Sequence, residues 1–249
     1  MGRVLLAGES WVSQATHYKG FDSFTSVTFH SGADDYIASL ARQGITVEHL
    51  YAHDVPQKFP VDVEAMSAYD VIILSDIGAN SFLLPPETWL EGKQSTNRLK
   101  NLAEWVRGGG GLMMAGGYLS FQGFQARANF ARSPLAEVLP VTMFDFDDRI
   151  EVPEGALPTL DAPDHRVGQA WEPSAPALLG YNRVLPKPDA QVVARLNGDV
   201  LIATAEYGAG RSLVWTSDIG PHWCPTEFLH WQGFDGLMSA MVRWLQKDV

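Results

Sequence analysis

Apolar positions along this chain come in short blocks whose spacing alternates between strand and helix periods. Arg3 to Ala7 is almost continuously apolar, which predicts a first strand buried on both faces, with Gly8 to Trp11 as its exit loop. From there to Gly32 aromatic and polar residues mix without period (His17, Tyr18, Lys19, Phe21, Asp22, Phe24), so a long irregular loop is expected. Ser31 or the Asp34-Asp35 pair then caps a helix from about Tyr36 to Arg42 that stops at Gly44. Ile45 to Leu50 alternates and is β-branched, the pattern of a second strand. Tyr69 to Ser75 is the most apolar run and gives the third, followed by the exit loop Asp76 to Asn80. Leu99, Leu102, Ala103 and Val106 recur at helical spacing, so Asn97 to Arg107 is a helix that Gly108 to Gly111 terminate. Leu112 to Ala115 is a buried strand, and it breaks off at Gly116-Gly117.

Beyond this bend the texture changes. Ser133 to Pro140 reads as a helical turn with a proline stop, and short alternating runs follow: Val141 to Phe146, Arg149 to Val152, Gln191 to Leu196, Val200 to Tyr207 and Arg211 to Thr216. Asn197-Gly198 is a strong hairpin signal, and Gly208 to Gly210 makes a second tight turn. Arg211 to Thr216 should return to the main sheet, and Phe234 to Leu245 closes the chain as an amphipathic helix with Leu237, Met241, Trp244 and Leu245 on one face. The expected class is α/β: a parallel sheet of βαβ units with helices on both faces and an antiparallel extension over about 141–207, all within one domain spanning 1–249.

Composition narrows the partners. With 249 residues and 46% hydrophobic content the chain can bury a full core. A net charge of −11 argues against nucleic acid or an anionic membrane, both of which need a basic footprint. A single cysteine, Cys224, excludes an intrachain disulfide and fits a reducing compartment. The N-terminal apolar run is too short for a signal peptide and no stretch approaches a membrane span, so a cytoplasmic protein is expected. Aromatic residues outside the periodic elements, in the His17 to Phe29 stretch and around Trp171, suggest a homo-oligomer, or else a lid folded over the bend.

Candidate chemistry gathers at the strand exits. Glu9, Ser10, Trp11, Asp76, Asn80, Tyr118, Ser120 and Gln122 all follow strands or the glycine bend, and an open parallel sheet brings such loops to one edge. His222 and Trp223 precede the last helix and should join them, with Gly116 and Gly117 as a floor whose following amides are free to meet an anion or carbonyl oxygen. Asp218, His222, Glu227 and His230 have metal-ligand chemistry, but their spacing is not that of a helical zinc pair, and a polar turn lining the pocket is the preferred reading. No metal and no cofactor is expected. Asp145 and Asp147 would share a face on a strand, with Asp148 beside them, and a solvated edge or turn with Phe144 and Phe146 facing the core is the favoured reading. Cys224 is either a nucleophile paired with His222 or a buried inert thiol.

Four stretches carry a family resemblance over essentially the whole chain: GESW (Gly8–Trp11), GGYLSFQG (Gly116–Gly123), EVLPV (Glu137–Val141) and SDIGPHW (Ser217–Trp223). The sequence resembles the glutamine amidotransferase-like family of bacterial cytoplasmic proteins, with trehalose-utilisation-type proteins among the broader relatives. The resemblance implies the class I glutamine amidotransferase-like fold, a flavodoxin-like sheet with an elbow after its fourth strand. Active glutaminase domains of that fold carry Cys at the elbow, within Gly-x-Cys-x-Gly, and a His and a Glu two residues apart before the last helix. Here the elbow falls on Gly116 or Gly117, His222 matches the family His, and Cys224 stands where the acid is expected, with Glu227 as a replacement. A glycine cannot supply the nucleophile. The expectation is therefore a protein that is not a glutaminase but binds a polar or sugar-like metabolite. The other reading is a hydrolase or isomerase using His222 with Asp218 or Glu227.

Overall fold

The apolar runs become the inner strands of an eight-stranded sheet in a computed structural model that describes residues 2–247. In chain order, β1 (Arg3–Gly8) leads into β2 (Ser10–Lys19) and β3 (Asp22–Ser31), then β4 (Thr46–Leu50), β5 (Val71–Ser75) and β6 (Gly111–Ala115). The extension supplies β7 (Val141–Met143), β8 (Arg149–Ala156), β9 (Pro158–Leu160), β10 (Leu178–Asn182), β11 (Val184–Pro186), β12 (Gln191–Leu196) and β13 (Asp199–Tyr207), before β14 (Gly210–Trp215) returns. The main sheet runs β4-β1-β5-β6-β14-β13-β12-β9. Its first five strands are parallel, in the flavodoxin-like order, and the last three add antiparallel at one edge. Two further ribbons, β10 with β8 and β11 with β7, complete the extension.

Alternation along the central strands divides the core. Val4, Leu6, Val71, Ile73 and Met113 pack on one side with Tyr36, Leu40, Leu237 and Met241. Leu5, Ala7, Ile72, Leu74 and Met114 pack on the other with Leu99, Leu102 and Val106. Both sheet faces are therefore covered by helices (Asp34–Arg42 and Phe234–Gln246 on one, Arg98–Arg107 on the other). Each fully buried leucine here contributes about 2 kcal/mol. Asn97 caps its helix by accepting a 3.0 Å bond from the Lys100 amide. The Asp34–Arg42 helix has no side-chain cap, and Ser31 Oγ instead donates to the Asp34 carboxylate at 2.7 Å.

Three expectations are corrected. The stretch from Trp11 to Ser31 is not an irregular loop but a ten-residue-per-strand hairpin, turned at Gly20-Phe21 with Gly20 at φ +66°. Its Thr, Val, Phe and Tyr are strand formers, but both faces are exposed, so no buried period marked them. The hairpin also does not fold back as a lid. Asp145 and Asp147 lie on a turn, the favoured reading, because β7 ends at Met143 and the chain bends through 144–148. Phe144 and Phe146 stack on one another at 4.8 Å instead of facing the core.

Candidate functional site

Strands β1 and β5 are neighbours at the point where strand order reverses, and a crevice opens there in sheets of this type. The residue leaving each strand is an acid held in left-handed backbone, Glu9 at φ 46° and Asp76 at φ 43°. Such conformations cost about 1 kcal/mol or more for a residue with a side chain and concentrate at functional sites. The Glu9 amide is fixed by a 2.7 Å bond to the Ser75 carbonyl, and the Ser75 hydroxyl donates to Glu9 Oε2 at 2.6 Å. The two exits are thus locked together.

The glycine bend meets these acids. The Gly116 amide donates to the Trp215 and Ser217 carbonyls, and a β-carbon at Gly116 would collide with the Thr216 carbonyl oxygen. Gly117, at φ +142°, faces the carboxylates of Asp76 and Asp218. Its amide donates to Asn182 Oδ1 at 2.9 Å, and the Leu119 amide to Asp76 Oδ1 at 2.7 Å. The amides expected to meet an incoming oxygen are therefore taken, one of them by an internal carboxylate.

A cleft of about 420 Å³ lies against this bend, lined by Glu9, Trp11, Asp76, Tyr118, Asp218, Pro221 and His222. His222 Nδ1 is 2.8 Å from Asp218 Oδ2, which also accepts from the Trp223 amide at 3.3 Å. The Tyr118 ring meets the imidazole edge-on at 4.6 Å, and Trp223 stacks on the imidazole at 5.2 Å. Arg149 sits 4.5 Å over the Tyr118 ring and 4.3 Å over Phe124, which fixes the Tyr118 wall from behind.

Burial dominates the electrostatics. It raises the Glu9 carboxyl well above its ordinary value, with the charges of Asp218 and Asp76 adding to it and the Ser75 bond opposing. Burial, then the Asp218 charge, brings Asp76 to about 6. Asp218 is also raised by burial, against the bond from His222. For His222, burial would depress the imidazole, but the Asp218 bond and the charges of Asp218, Glu151 and Asp76 together raise it. All three cleft carboxyls are therefore held above their ordinary range, Asp76 at about 6.

The remaining sequence candidates fall behind or beside this wall. Ser10 Oγ accepts from the Ala52 amide, Ser120 Oγ from the Asp76 amide, and Gln122 Oε1 from the Ala131 amide, so all three serve the backbone. Trp223 is buried and donates to Glu151 at 2.9 Å. Asn80 is exposed at the start of a short helix and does not line the cleft. Glu227 is exposed on the Thr226–Leu229 turn, and the partner of His222 is Asp218. Cys224 is fully buried, and burial pushes its thiol well up, with Asp218 and Glu9 adding to it. Among the described residues, no three His, Cys, Asp or Glu side chains are arranged to hold a metal ion.

Sequence reading missed the support behind the bend. Asp148, buried and favoured above as a solvated turn residue, accepts from the Gln122 and Gly123 amides at 2.9 Å and from Asn182 Nδ2 at 2.8 Å. Asn182 in turn accepts from Gly117, so the two side chains tie the extension to the elbow. The neighbouring Asp147 pairs with Arg149 at 2.9 Å, which lowers its carboxyl to about 2.

Comparison with known proteins agrees with this architecture. Two solved Salmonella typhimurium structures, each described as a cytoplasmic protein, are 41% identical to the chain. One has a TM-score of 0.93, covering 97% of this chain and 98% of its own; the other has 0.92, covering 98% and 99%. A ThuA-like protein from Bacteroides uniformis shares the fold, with a TM-score of 0.54 at 12% identity over 98% of this chain and 91% of its own. No curated protein matches the chain. No helix among the described residues is long and apolar enough to cross a membrane. The family model described as "Putative glutamine amidotransferase" matches residues 3–247, and the chain belongs to that glutamine amidotransferase-like family.

Proposed function

We propose that this chain binds a small neutral or cationic metabolite rich in hydrogen-bond donors, sugar-like in its chemistry, and does not hydrolyse glutamine. One observation carries this reading: Asp76 and Asp218 fill the space where an elbow side chain would stand over Gly117. A cysteine nucleophile has no room there, and Cys224 is sealed in the core. The lining supplies three carboxyl groups and no lysine or arginine, so hydroxyl and ammonium donors are matched and carboxylates or phosphates are repelled. Trp11 and Tyr118 offer apolar faces to the C–H side of such a ligand. The charge of −11 supports partners other than nucleic acid or anionic membrane, and the setting we propose is cytoplasmic. A thermal-shift screen of neutral polyols, amines and anions tests the reading. Polyols or amines should stabilise the protein and lose that effect in Asp76→Asn; stabilisation by anions alone, or ammonia release from glutamine, would overturn it.

A second reading rests on the His222–Asp218 bond. A buried carboxylate on Nδ1 orients the ring and leaves Nε2 as a base, with Asp76 near pH 6 as a proton donor. That arrangement suits proton transfer in a hydrolase or isomerase. Turnover of a bound ligand, lost in His222→Ala while binding persists, distinguishes it from a binding protein.

A further inference from the structure

The β2–β3 hairpin pairs only with itself, in a two-stranded sheet exposed along nearly its whole length. A lone hairpin in water is marginally stable at best. Its faces differ. On one, Trp11 stacks on His30 at 5.1 Å and His17 on Phe24 at 4.7 Å, with His17 Nε2 2.8 Å from Ser26 Oγ. On the other, Phe29 rests edge-on against Tyr51 at 4.9 Å, while Val27 and Tyr18 further out are 67% and 79% exposed. Phe21 at the tip is fully exposed.

We infer that this second face is the contact with another copy of this chain, hairpin against hairpin across a two-fold axis. Charge selects the partner and the place. Ser10 to Ser31 carries only one lysine and one aspartate, whereas the whole chain carries −11. Two copies repel one another over most of their surfaces and least along this arm. Area agrees: at about 150–250 Å² for a fully exposed aromatic, Tyr18 with the partly exposed Phe29, Val12 and Val27, and Phe21 at the tip, together offer several hundred Å² of apolar surface. With the flanking threonines that approaches the roughly 800 Å² per partner of a stable interface. Ten residues per strand project the arm about 33 Å, enough for two arms to overlap along their length. A face packed on its own copy is self-complementary, as a two-fold contact requires. Trp11 lies on the opposite face at the root of the same strand and lines the cleft, so this contact also steadies one wall of the site.

Sedimentation of the full chain at micromolar concentration tests the inference. The wild type should sediment at twice the chain mass, and Tyr18→Asp with Val27→Asp should sediment as a monomer with an unchanged far-UV spectrum. Hydrogen exchange decides independently of the variant: hairpin amides in the wild type should exchange more than tenfold slower at high than at low protein concentration. A monomeric wild type, a dimer that survives both aspartates, or concentration-independent exchange in the hairpin would overturn it.

Discussion

A β-carbon on Gly117 would stand 2.9 Å from Asp76 Oδ1, closer than real β-carbons approach, and a tight 3.0 Å from Asp218 Oδ1. The backbone there is at φ +142°, which only glycine adopts without strain. A side chain at this floor therefore burdens folding as well as the cleft. Gly117→Ala should cost about 2–4 kcal/mol, read from urea unfolding midpoints. Gly117→Cys should remain without ammonia release from glutamine, because the thiol would lie among carboxylates that disfavour its thiolate.

Ionisation of the cleft acids works against the fold. Asp76 titrates at about 6 in the folded protein against 3.8 ordinarily, so the folded state holds the proton longer. Its contribution is greatest below 3.8 and is lost as pH rises through about 6. Asp76→Asn removes the charge while keeping an oxygen for the Leu119 amide. The variant should gain about 1–3 kcal/mol over wild type at pH 8 and almost nothing at pH 3.5, measured by thermal or denaturant unfolding at both. Equal stability at pH 8 would contradict the raised value.

Much of the fold was legible because the central strands are buried on both faces. Runs such as VIIL and LMM have no other reading beside glycine turns, and Asn97 and Asn197-Gly198 mark ends through local chemistry. The hairpin was not legible, since a strand pair with both faces in solvent carries no apolar alternation. At the site, the topological rule brought Glu9, Asp76, Tyr118 and His222 to one edge. It could not say which polar side chains face the cleft and which turn back to the backbone. Ser10, Ser120 and Gln122 lie close to lining residues in sequence, yet each satisfies a backbone amide. Asp148 and Asn182 are 34 residues apart, and only the folded extension brings them together.

That extension braces the elbow through Asn182, which is fully buried and spans the Gly117 amide and the Asp148 carboxylate at 2.9 and 2.8 Å. Asn182→Ala would leave a buried donor and part of a buried carboxylate unmatched. A loss of about 2–4 kcal/mol follows, since each unsatisfied buried polar group costs about 1–3 kcal/mol. Asp148 keeps its bonds from the Gln122 and Gly123 amides, so the protein should still fold and permit the unfolding measurement.

The His222–Asp218 pair gives the most direct readout of the cleft. Burial alone would hold the half-buried imidazole below its ordinary value of 6.5, and the Asp218 bond and charge are the leading forces that reverse this. Asp218→Asn keeps an oxygen acceptor for Nδ1–H and removes the charge, so the ring stays oriented while its protonated form loses its strongest support. The His222 proton resonance, followed by NMR across pH, should therefore titrate above 6.5 in wild type and distinctly lower in Asp218→Asn. Glu227→Gln serves as the control: Glu227 is exposed and is not the partner of the ring, so its removal should leave the midpoint in place. A midpoint that moves with Glu227 and not with Asp218 would mean that His222 turns to the other acid in solution, and the acid–base reading would then rest on a different pair.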